Sequence, residues 1–248
     1  MKFLLLLLPI LAFSNKGLEI SKKIEKQNNG FIGEESTMTM LLINAQGDKI
    51  TRKLVSKAIE MENEGDKSLI TFKVPKDVAG TKMLTWSYKK NDDDQWLFLP
   101  SLKKVKRIHS NNKTSSFMGS EFSYEDLGSQ ELEKYTYKFI SEDDSNWVIE
   151  RKPINKSGYS KQVSTISKKY MNAIKVDYFN KRNELMKTAI FENFKEFPVN
   201  NKKIFRANKI HMKNLLTKKE SILTWSNRKL GVKHKDNLFK KEGLNEDF

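Results

Sequence analysis

A chain of 248 residues with 38% hydrophobic and 31% charged content can bury one large core, and its charges are mixed among apolar residues, which excludes disorder. A formal net charge of +15 calls for an anionic partner: nucleic acid, anionic lipid or an acidic protein. The absence of cysteine excludes a disulfide framework and thiol chemistry, and leaves no thiol to carry a lipid anchor.

In chain order, Lys2, the apolar run 3–13 and the small-x-small step Ala12-Phe13-Ser14 predict an export signal over 1–14, cleaved after Ser14. The mature chain, 15–248, is then expected as a single soluble periplasmic domain. Export argues against nucleic acid and leaves lipid or protein as partner. A helix is predicted over 15–30, with Leu18, Ile20 and Ile24 as its apolar marks. From about residue 34 the period falls to two: Met38, Met40 and Leu42 share one face, and the turn at Gly47-Asp48 starts a returning strand over 49–59.

Further strands are predicted over 67–74, 82–88, 95–100 and 102–108. In 95–100, Trp96 and Phe98 occupy one face, Leu97 and Leu99 the other, so both sides of that strand must be covered, and a helix is expected over this part of the sheet. The next strand carries Lys103, Lys104, Lys106 and Arg107, so at least part of it must reach solvent. After a polar loop, Ser120 and Gly128 bracket a short predicted helix with Phe122, Tyr124 and Leu127. Strands resume over 132–140, 147–151, 163–169, 173–179, 185–197, 204–212 and 221–230, before a tail at 236–244. The expectation is a mainly β chain of about eleven strands, a half-open antiparallel barrel with short lid helices.

Nothing in this pattern resembles catalytic machinery, and the protein is expected not to be an enzyme. His109, His211 and His234 lack metal-ligand spacing, and the runs 92–94 and 142–144 lack the glycine and terminal glutamate of a calcium loop. No phosphate loop or nucleophile elbow is present, and neither cofactor nor metal is expected. A barrel of this size has interior to spare. The candidate lining of an apolar cavity is Met38, Met40, Leu42, Phe72, Leu84, Trp86, Trp96, Phe98, Phe117, Phe122 and Tyr124.

The run Asp-Asp-Asp-Gln-Trp-Leu-Phe-Leu-Pro at 92–100, then Leu-Lys-Lys-Val-Lys-Arg-Ile at 102–108 and Ser-Phe-Met-Gly-Ser-Glu-Phe-Ser-Tyr-Glu-Asp-Leu at 116–127, resembles the LolA-like outer membrane lipoprotein-sorting family. Similar stretches at 17–20, 66–70, 78–81, 157–163, 183–188 and 236–239 extend the resemblance over nearly the whole mature chain. It implies a periplasmic carrier with a cavity for an acyl chain of a lipid or lipoprotein, bound for the outer membrane, and an RND-type inner-membrane transporter as partner. The arginine that latches the lid in that family has no counterpart placed by motif. The second expectation is a non-carrier interaction protein that docks through a basic face on a transporter or envelope complex. In either case Lys103, Lys104, Lys106 and Arg107 would meet an anionic membrane or an acidic partner.

Overall fold

The computed structural model describes residues 8–245. The first half of the expected export signal, 1–7, lies outside the described residues. Helix α1 (Leu8–Asn28) is followed by β1 (Gly33–Ile43), β2 (Lys49–Ile59), β3 (Lys67–Val74), β4 (Lys82–Trp86), β5 (Asp94–Leu99) and β6 (Lys104–Ile108). After a long irregular segment come β7 (Tyr135–Glu142), β8 (Asn146–Pro153), β9 (Lys161–Ser167), β10 (Asn172–Phe179), β11 (Leu185–Val199), β12 (Lys202–Asn214) and β13 (Glu220–Leu230). Each segment that alternation marks in the sequence is a strand of its own, so the described residues hold thirteen strands rather than about eleven.

All thirteen strands form one antiparallel sheet, ordered β6-β5-β4-β3-β2-β1-β13-β12-β11-β10-β9-β8-β7. Two sequential meanders meet where β1 pairs with β13, with Met38 opposite Trp225 and Met40 opposite Leu223. The edges β6 and β7 are not paired to each other, so the barrel is half open. Residues 109–134 run from one edge to the other and strap the open side.

The strap is not the regular helix predicted there. It is a series of single 3-10 turns, including Phe117–Gly119 and Glu125–Leu127. Ser120, read as a helix cap, donates its hydroxyl to the Phe117 carbonyl at 2.7 Å instead. Met118 and Gly119 both have positive φ, and the chain doubles back so that Ser116 bridges Ser123. This reversal turns Phe117 and Phe122 together onto the sheet, which a helix at that spacing would not do.

The inner face over β1–β5 is filled by that strap. Met38, Met40, Leu54, Phe72, Met83 and Leu97 pack with Phe117, Phe122 and Tyr124 in one cluster. Phe72 and Phe117 have ring centroids 5.7 Å apart, and Phe117 meets Tyr124 edge-on at 5.6 Å. Over β7–β9 the same face is covered by α1, whose Ile20 and Ile24 pack with Phe139, Trp147, Ile149 and Ile166. A Cβ on Gly17 would come 2.8 Å from the Phe139 backbone nitrogen, so only glycine lets the helix sit this close to β7.

The outer face of β3–β6 carries a second core. Register places Leu69, Leu84 and Trp96 side by side, and they pack with Phe98 beneath Phe239 and Leu244 of the C-terminal segment. The cover expected over the doubly apolar strand β5 is therefore this segment outside and the strap inside.

Candidate functional site

Beside the packed strap, a cavity of about 650 Å³ remains on the inner face between α1, the strap and β8–β13. That volume lies within the range of small-molecule sites. Its walls are the inward positions of the second meander: Ile149, Ile166, Val176, Ala189, Ile210 and Trp225, with Phe122 reaching in from the strap. Two lining arginines hold Glu34 of β1 between them, Arg228 at 2.9 Å and Arg206 at 3.4 Å. Arg228 lies over the Trp225 ring, and burial lowers its pKa to about 10, partly offset by Glu34.

The mouth is acidic although the protein is basic. Glu62, Glu64 and Asp66 of the β2–β3 turn, Glu25 of α1 and Glu131 and Glu133 of the strap line it. Carboxylate oxygens of Glu25, Glu131 and Glu133 lie within 4.8 Å of one another, and the Glu25 carboxyl is raised by burial and then by these two neighbours. Asp66 is raised to about 7, chiefly by burial, with Glu131 and Glu60 adding to the shift. A carboxyl whose pKa is raised on folding favours the fold fully below its unfolded value, and that contribution is lost as pH rises through the folded value. Wild-type stability should therefore fall across the window from about pH 4 to about pH 7 more steeply than that of Asp66→Asn. Urea melts of the two proteins at pH 5 and pH 8 check this; parallel pH profiles would rule Asp66 out as the source.

The strap is tied to both meanders. Arg52 of β2 donates to the Met118 carbonyl and lies near the Phe72 ring. On the β5 side, Gln95 donates to the Tyr124 carbonyl at 2.9 Å. On the other side, Lys187 of β11 pairs with Asp126 at 2.6 Å, with both side chains under 5% exposed, and also donates to the Glu121 carbonyl. Asp126 accepts from the Tyr159 hydroxyl at 2.7 Å and from the Ser123 N–H.

Set against these positions, the sequence-derived lining divides in three. Phe122 lines the cavity. Met38, Met40, Leu42, Phe72, Phe117 and Tyr124 lie on the inner face but within or against solid packing, because the strap fills that half of the barrel. Leu84, Trp86, Trp96 and Phe98 belong to the outer face beneath the C-terminal segment, where Trp86 donates its indole N–H to the Phe239 carbonyl at 2.7 Å. Alternation groups residues by face but does not say which face is concave. Lys103, Lys104, Lys106 and Arg107 are exposed at the free edge β6, where Arg107 pairs with Asp94. Sequence reasoning missed Arg52, the Lys187–Asp126 pair and the walls from β8–β13. The last were visible as alternating apolar positions that were given no face.

A half-open antiparallel barrel, strapped across its open side and holding a cavity with apolar walls and charged groups at its mouth and base, defines the class of the lipoprotein-sorting fold. A family model described as an uncharacterized protein matches residues 64–246. A domain from Vibrio parahaemolyticus, classed with outer membrane lipoprotein-sorting proteins, is 39% identical over 94% of this chain and 99% of its own, with a TM-score of 0.89. A DUF1329 family protein from Desulfovibrio piger is 26% identical over 94% of this chain and 99% of its own, with a TM-score of 0.86. A LolA superfamily protein from Nitrosomonas europaea, 19% identical over 91% of this chain and 98% of its own, shares the fold at a TM-score of 0.69. Comparison with curated proteins gave no match. The chain belongs to the outer membrane lipoprotein-sorting protein family and has a LolA-like fold. Among the described residues no helix is long and apolar enough to cross a membrane.

Proposed function

We propose that the protein is a periplasmic carrier that takes one acyl chain of a lipid or lipoprotein into the cavity and passes it toward the outer membrane. An RND-type inner-membrane transporter is the proposed partner. The observation that carries this reading is the cavity of about 650 Å³ with Ile, Val, Ala and Trp walls beside the strap. Each methylene buried there contributes about 0.8 kcal/mol, so ten give about 8 kcal/mol before the cost of ordering the chain. Micromolar affinity needs about 8 kcal/mol net, so a longer chain, with more than ten methylenes buried, must supply the surplus over the ordering cost. Transfer requires no covalent step, and the proposal assigns no catalytic residue.

Mass spectrometry of lipid extracted from purified protein tests it. A stoichiometric acyl ligand is expected in the wild type. Ala173→Trp, which fills the cavity from β10, should reduce the bound lipid roughly tenfold while the protein stays folded. Wild-type protein that holds no lipid and does not take up a fluorescent fatty acid would sink the carrier reading. The second reading, a protein that docks through Lys103, Lys104, Lys106 and Arg107, draws on their exposure along β6. Lysines also guard a free strand edge against mispairing, which accounts for them without a partner.

A further inference from the structure

In an antiparallel meander, alternate turns lie at one rim of the sheet. The β1–β2, β3–β4, β5–β6, β10–β11 and β12–β13 turns share a rim, and the β2–β3 turn with its acidic cavity mouth belongs to the other. Among the described residues, eight large hydrophobic side chains are exposed. Six of them, Ile50, Val74, Leu102, Leu185, Leu215 and Leu216, stand at or beside the tips of that first rim, while Ile154 of the β8–β9 turn is set apart from them, its neighbour Asn155 donating to the Lys90 carbonyl of the β4–β5 turn at 2.9 Å.

The tips adjoin one another along the sheet. The Leu215 N–H donates to the Met186 carbonyl at 2.9 Å, which sets Leu215 and Leu216 beside Leu185. Ile50 is opposite Leu42, and Leu42 is opposite Ser221 at the start of β13. A Cβ on Gly80 would stand 3.0 Å from Pro100, so the β3–β4 turn meets the β5–β6 turn that carries Leu102. Between these apolar points stand Lys49, Lys73, Lys76, Lys103, Lys218 and Lys219, all exposed and, among the described residues, without a carboxylate at ion-pair distance. Of the acids at the same tips, Glu184 is paired with Arg182 at 2.9 Å, Asp48 is bonded to Asn44 and Glu220 lies 4.0 Å from Lys213, while Asp77 is exposed beside Lys76, so lysines outnumber free carboxylates there.

We propose that this rim of hairpin tips docks the protein on the surface of an anionic bilayer, with Leu215 and Leu216 entering the headgroup region and the lysines meeting lipid phosphates. The chemistry favours lipid over a protein partner. The aliphatic groups are separate prongs with charge between them, not one contiguous patch, and a fluid interface receives prongs without a matching pit. Each lysine near an anionic surface adds roughly 1 kcal/mol of attraction that salt screens. The inference does not depend on what the cavity holds.

The test uses vesicles of phosphatidylethanolamine with phosphatidylglycerol, and of phosphatidylcholine alone. Because the chain has no cysteine, Leu216→Cys and Glu62→Cys each provide one labelling site for an environment-sensitive fluorophore. The label at 216 should brighten and shift to the blue on the anionic vesicles, and the label at 62, on the opposite rim, should not. Leu215→Asn combined with Leu216→Asn should weaken co-sedimentation roughly tenfold at unchanged charge, and Lys218→Glu with Lys219→Glu should weaken it most at low salt. A label at 216 that does not respond while the protein is bound overturns the proposal. So does binding that the leucine substitutions leave unchanged, or an absence of binding to anionic vesicles.

Discussion

Lys187→Met is expected to destabilise the protein by about 3–5 kcal/mol, a large share of the stability of a typical domain. The pair it breaks lies at 2.6 Å with both side chains almost fully buried. Removing the cation leaves the Asp126 carboxylate out of water with only the Tyr159 hydroxyl and the Ser123 N–H to stabilise its charge. Those two bonds bring the expected cost toward the lower end of the range. Lys187→Met combined with Asp126→Leu should recover part of the loss, since an apolar pair leaves no stranded charge. Urea melts followed by tryptophan fluorescence measure both. A single variant within about 1 kcal/mol of wild type would mean that the strap draws little from this tie.

Phe239→Ala should cost about 3–5 kcal/mol, because the ring is 1% exposed and fills the outer core against Leu84, Trp96 and Phe98. Ending the chain after Lys235 should be worse. It uncovers the outer faces of β4 and β5 together and takes the Phe239 carbonyl from the Trp86 indole N–H. Red-shifted tryptophan emission and association at micromolar concentration are the expected signs. A truncated protein that melts like the full chain and stays monomeric would show that the C-terminal segment is dispensable.

Much of the architecture was legible because alternation is a strong signal where one face of a strand is buried. Met38, Met40 and Leu42 were grouped on one face of β1, which the structure makes the inner one. The double apolar pattern of Trp96-Leu97-Phe98-Leu99 correctly required cover on both sides. What alternation lacks is a sign. Nothing local in 82–100 tells that Leu84, Trp86, Trp96 and Phe98 lie outside, because that depends on a segment about 140 residues later. The strap escaped for another reason: Ser120 and Gly128 have the chemistry of helix ends, but Phe117 and Phe122 gain more by turning together onto the sheet. Lys187 and Asp126 are 61 residues apart, and only the strap laid across the sheet brings them together.

The seam between β1 and β13 also bears on how the chain reaches its fold. On either side of it every strand pairs with its neighbour in sequence, so two meanders, β1–β6 and β7–β13, can zip up from local hairpins. That ladder, the strap, the packing of α1 on β7 and the C-terminal segment over β3–β6 join the two meanders across long stretches of chain. Loop-closure entropy therefore falls on a few late contacts. Two separately expressed pieces, cut within the strap, would carry complete meanders and a matching pair of strand edges with which to find each other.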